Sequence, residues 1–235
     1  MSGRPESVAL RRVGLLHGRA ARAAWLALLC AVSVLLLAAA VGSNGSVPWS
    51  FDLAWEPRVH GWVLARPAVV TVARAVTAAG SPLAMDALTA VAAVGFWFRR
   101  HRSWAIALVA VRGAELLLET LLKAVVARPR PAFDVPLALA SSSSFPSGHS
   151  AGAAAVVGLL VFLVLGSGRV PAVGRVLAAL AGGAFTLAVA FSRVLLGVHY
   201  PSDVLAGLLL GLGCAAFAAA TLAGRRRSRP GVGAV

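Results

Sequence analysis

Charge is scarce in this 235-residue chain, and negative charge scarcer still. Charged residues make up 13% of it, with only 8 Asp and Glu, where soluble domains carry about a quarter. Low charge and high hydrophobicity exclude a disordered protein. Two cysteines, Cys30 and Cys214, exclude a disulfide scaffold, and both fall inside apolar runs as reduced packing residues. Tyr200 is the single tyrosine and Lys123 the single lysine, so arginine carries nearly all of the positive charge. Richness in Ala, Gly, Val and Arg reads as a translation of G+C-rich codons.

What the chain does have is apolar surface. Hydrophobic residues are 59% of it, more than a soluble core of this size can hide, so the expected solvent is a bilayer. The net charge of +14 invites a nucleic-acid reading. We reject that reading, because the cations sit in short clusters between apolar runs, which is how membrane topology is encoded.

Six runs approach the roughly 17–25 residues that cross a bilayer: Ala23–Val41, Ser81–Phe98, Ser103–Leu122, His149–Gly166, Gly174–Phe191 and Asp203–Ala223. The expected fold is therefore all-α: a polytopic membrane protein of six transmembrane helices in one domain, 23–223. A basic segment, 1–22, precedes it and a basic tail, 224–235, follows. The arginines at 4, 11, 12, 19 and 22, at 99, 100 and 102, at 169 and 175, and at 225–227 and 229 all fall on one side of six spans. By the positive-inside rule that side, with both termini, is cytoplasmic. A cleaved signal peptide is the competing reading of the N-terminus, with small residues at Ala38–Ala40, but the apolar run exceeds the usual signal length. Val59–Ala79 competes as a seventh span. With Arg66 and Arg74 inside it, an interfacial amphipathic helix is the better expectation, with Trp55 and Trp62 at headgroup depth.

Three segments on the opposite, outer face carry chemistry. Lys123 ends the third span and is followed by Arg128-Pro129-Arg130-Pro131, whose prolines stop the helix. A basic flank that snorkels is the bland reading, weakened because positive flanks belong on the other face. Ser141–His149 enters the fourth span through Pro146-Ser147-Gly148-His149. Ser147 is placed as an N-cap, and a helix start offers free N–H groups and a positive dipole end to a phosphate. Ser192–Asp203 leads into the sixth span, with His199 and Asp203 four residues apart. A carboxylate on one ring nitrogen fixes the tautomer and makes the other nitrogen the better nucleophile. Each segment alone is weak. Together they supply three cations, two histidines, one carboxylate and a helix start, the equipment for binding and attacking a phosphate.

The order K-x6-R-P, P-S-G-H, S-R-x5-H-x3-D resembles the three-part signature of the type 2 phosphatidic acid phosphatase family. That family is the membrane branch of the superfamily that includes vanadium-dependent haloperoxidases. Every matched position is intact between Lys123 and Asp203. The resemblance implies six spans and a metal-independent hydrolase without cofactor. It implies that His199 attacks phosphorus to form a phosphohistidine and that Asp203 orients it. His149 would protonate the leaving oxygen and later activate water. Lys123, Arg130 and Arg193 would hold phosphoryl oxygens, helped by Ser147 and the Gly148 backbone. Arg128 lies outside the signature spacing and is assigned a supporting role at a second phosphate or headgroup.

Arg112, Glu115, Glu119 and Lys123 line one face of the third span. Charges inside a membrane usually mark function or a paired network. Glu119 is expected to orient Lys123, with Arg112 and Glu115 paired below; Asp86 has no account at this level.

The expected function is a phosphatase acting from the outer face of the cell membrane on a lipid phosphate or diphosphate. The substrate order is a polyprenyl diphosphate such as undecaprenyl diphosphate, then phosphatidic acid or phosphatidylglycerol phosphate, then a polyprenyl-linked sugar phosphate. A transporter or an inactive lipid-binding relative is the competing class. A transporter would carry broken helices and an internal repeat, and an inactive relative would lack His149 or His199. The oligomeric state is not legible.

Overall fold

The computed structural model describes residues 5–42 and 46–225. Among them are eight helices and no strand: α1 (Pro5–Gly42), α2 (Ser46–Leu64), α3 (Pro67–Ala79), α4 (Pro82–Phe98), α5 (Arg102–Val126), α6 (Gly148–Leu165), α7 (Ala172–Leu195) and α8 (Pro201–Arg225). The all-α expectation holds. Helices long and apolar enough to cross a membrane are Ala20–Gly42, Gly148–Leu165, Ala172–Leu195 and Pro201–Gly224, with α2 and α3 together a fifth if read as one broken span. The remaining two expected spans coincide with α4, which is short at 17 residues, and α5, which carries the charged face of Arg112, Glu115, Glu119 and Lys123.

One expectation is corrected. Residues 59–79 are not one amphipathic helix but two, meeting at a bend of 111°. Pro67 is the cause: it has no N–H to donate and pushes Arg66 out of helical geometry, and Arg66 takes φ −136°, ψ 79°. Arg66 then folds back, donating to Trp62 O at 2.9 Å with its guanidinium over the Trp62 ring. The basic segment and first span likewise form one continuous helix from Pro5, while most of the basic tail lies outside the described residues.

The bundle is organised on α6, which packs against α8, α7, α5 and α4, while α1 lies along α8. Ala151, Ala153, Ala155, Val156 and Leu159 of α6 are fully buried. Small residues permit the close crossing with α8. A Cβ at Gly211 would overlap Ala151 O, and one at Gly207 would overlap Ser147 O. Close packing of this kind drives helix association where lipid is as apolar as the core. Its consequence for function is rigid: the starts of α6 and α8, carrying His149 and Asp203, are held side by side.

Candidate active site

α5 ends at Val126, with Ala127 in the left-handed region at φ 46° and its N–H on Lys123 O at 3.0 Å. The chain then runs through residues 128–147 before α6 begins. Lys123 is tied to Glu119 at 3.0 Å and donates to Ser142 Oγ at 3.2 Å. Arg130 Nη2 donates to the same hydroxyl at 3.2 Å, so Ser142 draws the two cations together. Arg130 is clamped further, with Nε on Ser142 O at 2.6 Å and Nη1 on Val198 O at 2.6 Å. Its Nη1 also lies 3.0 Å from His199 Nε2.

His199 sits between α7 and α8, after Gly197, whose φ of 66° strains any side-chain-bearing residue. A Cβ at Gly197 would come within 2.8 Å of Phe133. A guanidinium only donates, so Nε2 must offer its lone pair, and the ring proton is on Nδ1. Nδ1 faces Asp203 Oδ2 at 3.6 Å, the span of an ion pair rather than a hydrogen bond. The tautomer is therefore the one a nucleophilic Nε2 needs. His199 is 2% exposed, and burial pushes its pKa down to about 4 against the opposing pull of Asp203. It is a neutral imidazole.

Asp203 is fully buried. Its Oδ2 accepts the Tyr200 N–H at 2.9 Å and the Ser144 hydroxyl, and its Oδ1 accepts Arg128 Nη1 at 2.6 Å. Its backbone oxygen accepts the Ser147 N–H at 3.0 Å, joining the entry to α6 to the first turn of α8. Ser147 occupies the N-cap position of α6, but its side chain makes no cap bond. It is fully buried and accepts from Ser150 Oγ at 3.0 Å. Gly148 opens the helix with Glu119 pressed against it, leaving no room for a Cβ. His149 follows, partly buried, within electrostatic reach of Arg193, His199, Lys123 and Arg130. Arg193, on the last turn of α7, is 6% exposed and donates to Thr77 Oγ1 at 2.7 Å.

The structure thus brings the three separated segments to one centre. Arg128 is the exception. It is 2% exposed, behind Asp203 rather than beside a phosphate or headgroup. It also donates to Asp52 Oδ2 at 2.7 Å and to Ser202 Oγ at 2.8 Å, and its guanidinium covers the Tyr200 ring. Burial works against its charge, yet Asp203 and Asp52 together hold its pKa above the ordinary value. Burial lowers that of Arg130.

Sequence reasoning missed Asp52, Glu56 and His60. They are spaced by four along α2 and are all buried. That spacing, carrying two of the chain's eight acids, was the available signal. Among the described residues, no group of three or more His, Cys, Asp or Glu is arranged to hold a metal ion.

The profile of the PAP2 superfamily matches residues 103–227, which takes in all three segments from Lys123 to Asp203. The chain belongs to the PAP2 superfamily. This PAP2 chain is 33% identical to phosphatidylglycerophosphatase B of Bacillus subtilis (strain 168) over 179 residues, 76% of this chain and 85% of the relative. It is 37% identical to decaprenylphosphoryl-5-phosphoribose phosphatase of Mycobacterium tuberculosis over 139 residues, 56% of this chain and 68% of the relative. The crystal structure of a transmembrane PAP2-type phosphatidylglycerolphosphate phosphatase from Bacillus subtilis superposes with a TM-score of 0.74 and 29% identity, covering 89% of this chain and all of that one. By family, the chain is a PAP2-type membrane lipid phosphatase.

Proposed function

We propose that this PAP2 phosphatase hydrolyses the phosphate of a membrane lipid through a phosphohistidine on His199, without a metal ion. The observation that carries the reading is the environment of His199: Nε2 faces Arg130 at 3.0 Å while Nδ1 faces Asp203 at 3.6 Å. A phosphoryl group entering beside Arg130 meets the lone pair of Nε2. The Nε2–P bond forms as the P–O bond to the lipid breaks. His149 gives its proton to the departing oxygen, then takes one from the water that attacks phosphorus and frees His199. Lys123, Arg130, Arg193 and the N–H groups opening α6 receive the phosphoryl oxygens, where fixed positive charge is worth most in the transition state. Ser147 would have to turn from Ser150 to join them. The same cations argue against a divalent ion, since the oxygens it would neutralise already face a lysine and two arginines.

The lipid nature of the substrate has a second support. An apolar cleft of about 920 Å³ between α1, α5 and α8 is lined as far as Leu122, one residue from Lys123. A tail in that cleft would leave its phosphate at the cationic end of α5. Phosphatidylglycerol phosphate is the first substrate we propose, because the relatives of that activity match 76% and 89% of this chain, against 56% for the decaprenylphosphoryl-5-phosphoribose phosphatase. A polyprenyl diphosphate and a polyprenyl-linked sugar phosphate come next, then phosphatidic acid. We place the protein in the cell membrane as a multi-pass protein, with both termini cytoplasmic and the centre facing outward. This follows from the distribution of arginine between the spans.

The test is phosphate release by the purified full chain in detergent with EDTA, across those four lipids, beside His199→Ala. Release that survives EDTA and vanishes in the variant is expected. Release abolished by EDTA would overturn metal independence, and release that survives in the variant would overturn the role of His199. No release from folded protein with any of the lipids would overturn the phosphatase reading.

A further inference from the structure

We propose that Asp52 on α2 is a positioning residue of the catalytic centre. Through Arg128 it fixes Asp203 beside His199 and supplies the negative charge that balances the cation formed when His199 takes up phosphate. This rests on the phosphohistidine reading above.

The three groups form one buried unit. Asp52 and Asp203 are fully buried and Arg128 is 2% exposed. Arg128 reaches them through separate nitrogens, Nη2 to Asp52 at 2.7 Å and Nη1 to Asp203 at 2.6 Å. Asp52 also accepts the Ser202 N–H at 3.1 Å and the Ser202 hydroxyl. It therefore holds the start of α8 at the residue before Asp203. A lysine could not do what Arg128 does, because one ammonium does not offer a planar fork to two carboxylates at once.

The charge balance gives Asp52 more than a tethering role. Arg128 alone would cancel Asp203, and a neutral pair gives little support to a forming cation. Both oxygens of Asp52 accept, from Arg128 and from Ser202, as carboxylate oxygens do, and two carboxylates against one guanidinium leave the unit at minus one. In the ground state His199 is neutral. Once Nε2 is bonded to phosphorus and Nδ1 keeps its proton, the ring is cationic and the cluster becomes neutral. Without Asp52 the same step leaves an uncompensated positive charge in a buried site, which is costly. The phosphoryl oxygens meet Lys123, Arg130 and Arg193 on the other side of His199, so substrate binding is spared.

Other charged or titratable groups face His199 from each packed element: Arg130 from the loop after α5, His149 from α6, Arg193 from α7 and Asp203 from α8. Glu56 lies one turn from Asp52 on α2, buried, with Oε1 lacking a partner. All of these are retained when Asp52 alone is changed.

The experiment is Asp52→Asn in the full chain in detergent, with Asp52→Ser as a smaller neutral variant should Asn not fold. Three readouts are taken: steady-state kinetics across pH, thermal unfolding, and a ¹⁵N NMR titration of His199 assigned with His199→Gln. We expect kcat to fall roughly tenfold or more, as for one charge lost several ångströms from a forming cation at an effective dielectric of about 20. KM stays within about twofold, because ground-state binding is untouched. The acid limb of kcat/KM and the His199 titration both move to lower pH, because an imidazolium has lost a negative neighbour. Asp52→Glu, if it folds, restores both toward wild type. An unmoved His199 titration in folded protein overturns the proposal. So does a kcat loss that only tracks the folded fraction, which is what a tether without an electrostatic role would give. A wild-type chain that releases no phosphate defeats the functional reading instead, and the titration still decides the role of Asp52.

Discussion

Arg130 Nη1 stands 3.0 Å from His199 Nε2, and the same guanidinium is pinned by Ser142 O and Val198 O at 2.6 Å each. In the proposed reaction the cation that would receive the phosphate is thus held by backbone carbonyls, one of them from the residue next to His199. Arg130→Lys keeps the charge and loses the fork. We expect kcat/KM to fall by about 10²–10³, the usual loss for one preorganised donor aimed at transition-state charge. Thermal unfolding of the variant should change little, since Arg130 bridges loops rather than filling the core. A lysine variant within severalfold of wild type would remove Arg130 from the reacting group.

His199 gives a pH dependence of stability with a definite sign. Burial pushes its pKa down to about 4, from an ordinary value of 6.5. Between those values the unfolded chain binds a proton that the folded chain refuses. Its contribution to stability is whole above pH 6.5 and is lost as pH falls toward 4, by something of the order of 3 kcal/mol. Wild type should therefore lose more unfolding temperature between pH 7 and 5 than His199→Gln does. Equal losses would mean that His199 titrates normally. The same low pKa predicts that wild type still carries a neutral nucleophile at pH 5.

Glu119 and Gly148 are expected to act as one unit. Glu119 holds Lys123 at 3.0 Å and lies where a side chain on residue 148 would begin. Gly148→Ala must displace the carboxylate, and with it Lys123. We expect a loss of kcat/KM that shrinks when the change is made in a Glu119→Ala background. The coupling should lie in the range of about 0.5–3 kcal/mol found for residues in contact. Additive losses would show that alanine at 148 acts through the helix start alone. Glu119→Gln gives the separate test of the carboxylate: unchanged turnover and unchanged stability together would leave it neither an orienting nor a structural role.

The elements that sequence made legible are those with local causes. Lys123 and Glu119 share a helix face because they are four residues apart, and His199 meets Asp203 across one turn for the same reason. The prolines at 129 and 131 stop α5, and Pro67 marks the break that a continuous periodicity over 59–79 concealed. What spacing cannot express is which faces meet across the bundle. Asp52 reaches Ser202 over 150 residues and Arg128 reaches Asp203 over 75. Neither contact leaves a local pattern, so sequence alone suggests a supporting role for Arg128 at a second phosphate or headgroup, whereas its partners are the buried acids Asp52 and Asp203. Ser147 was legible as a helix start and not as a side chain turned toward Ser150. Asp86 had no account in one dimension and acquires one only when α4 is set against α5.

That contact carries a prediction about stability rather than chemistry. Arg112, 5% exposed, bonds Asp86 Oδ1 through Nε at 2.7 Å and Glu115 through Nη1, and Glu115 is fully buried. The cluster joins α4 to α5, and Glu115 is fully buried, so removing Arg112 leaves that acid without a partner and out of reach of water. Removing the cation alone is therefore the costly change: Arg112→Met should destabilise by about 3–5 kcal/mol, the usual cost of breaking a buried ion pair from one side. Removing the buried acid as well, in Arg112→Met with Glu115→Leu, should recover much of that loss. Asp86→Asn should cost less than either, because Asp86 is half-exposed, with 50% of its side chain accessible. Thermal unfolding in detergent ranks the three variants, and phosphate release per folded molecule should stay close to wild type in all of them. A double variant no more stable than Arg112→Met would show that Arg112 acts through packing against Gly152, which its guanidinium approaches, and not through charge.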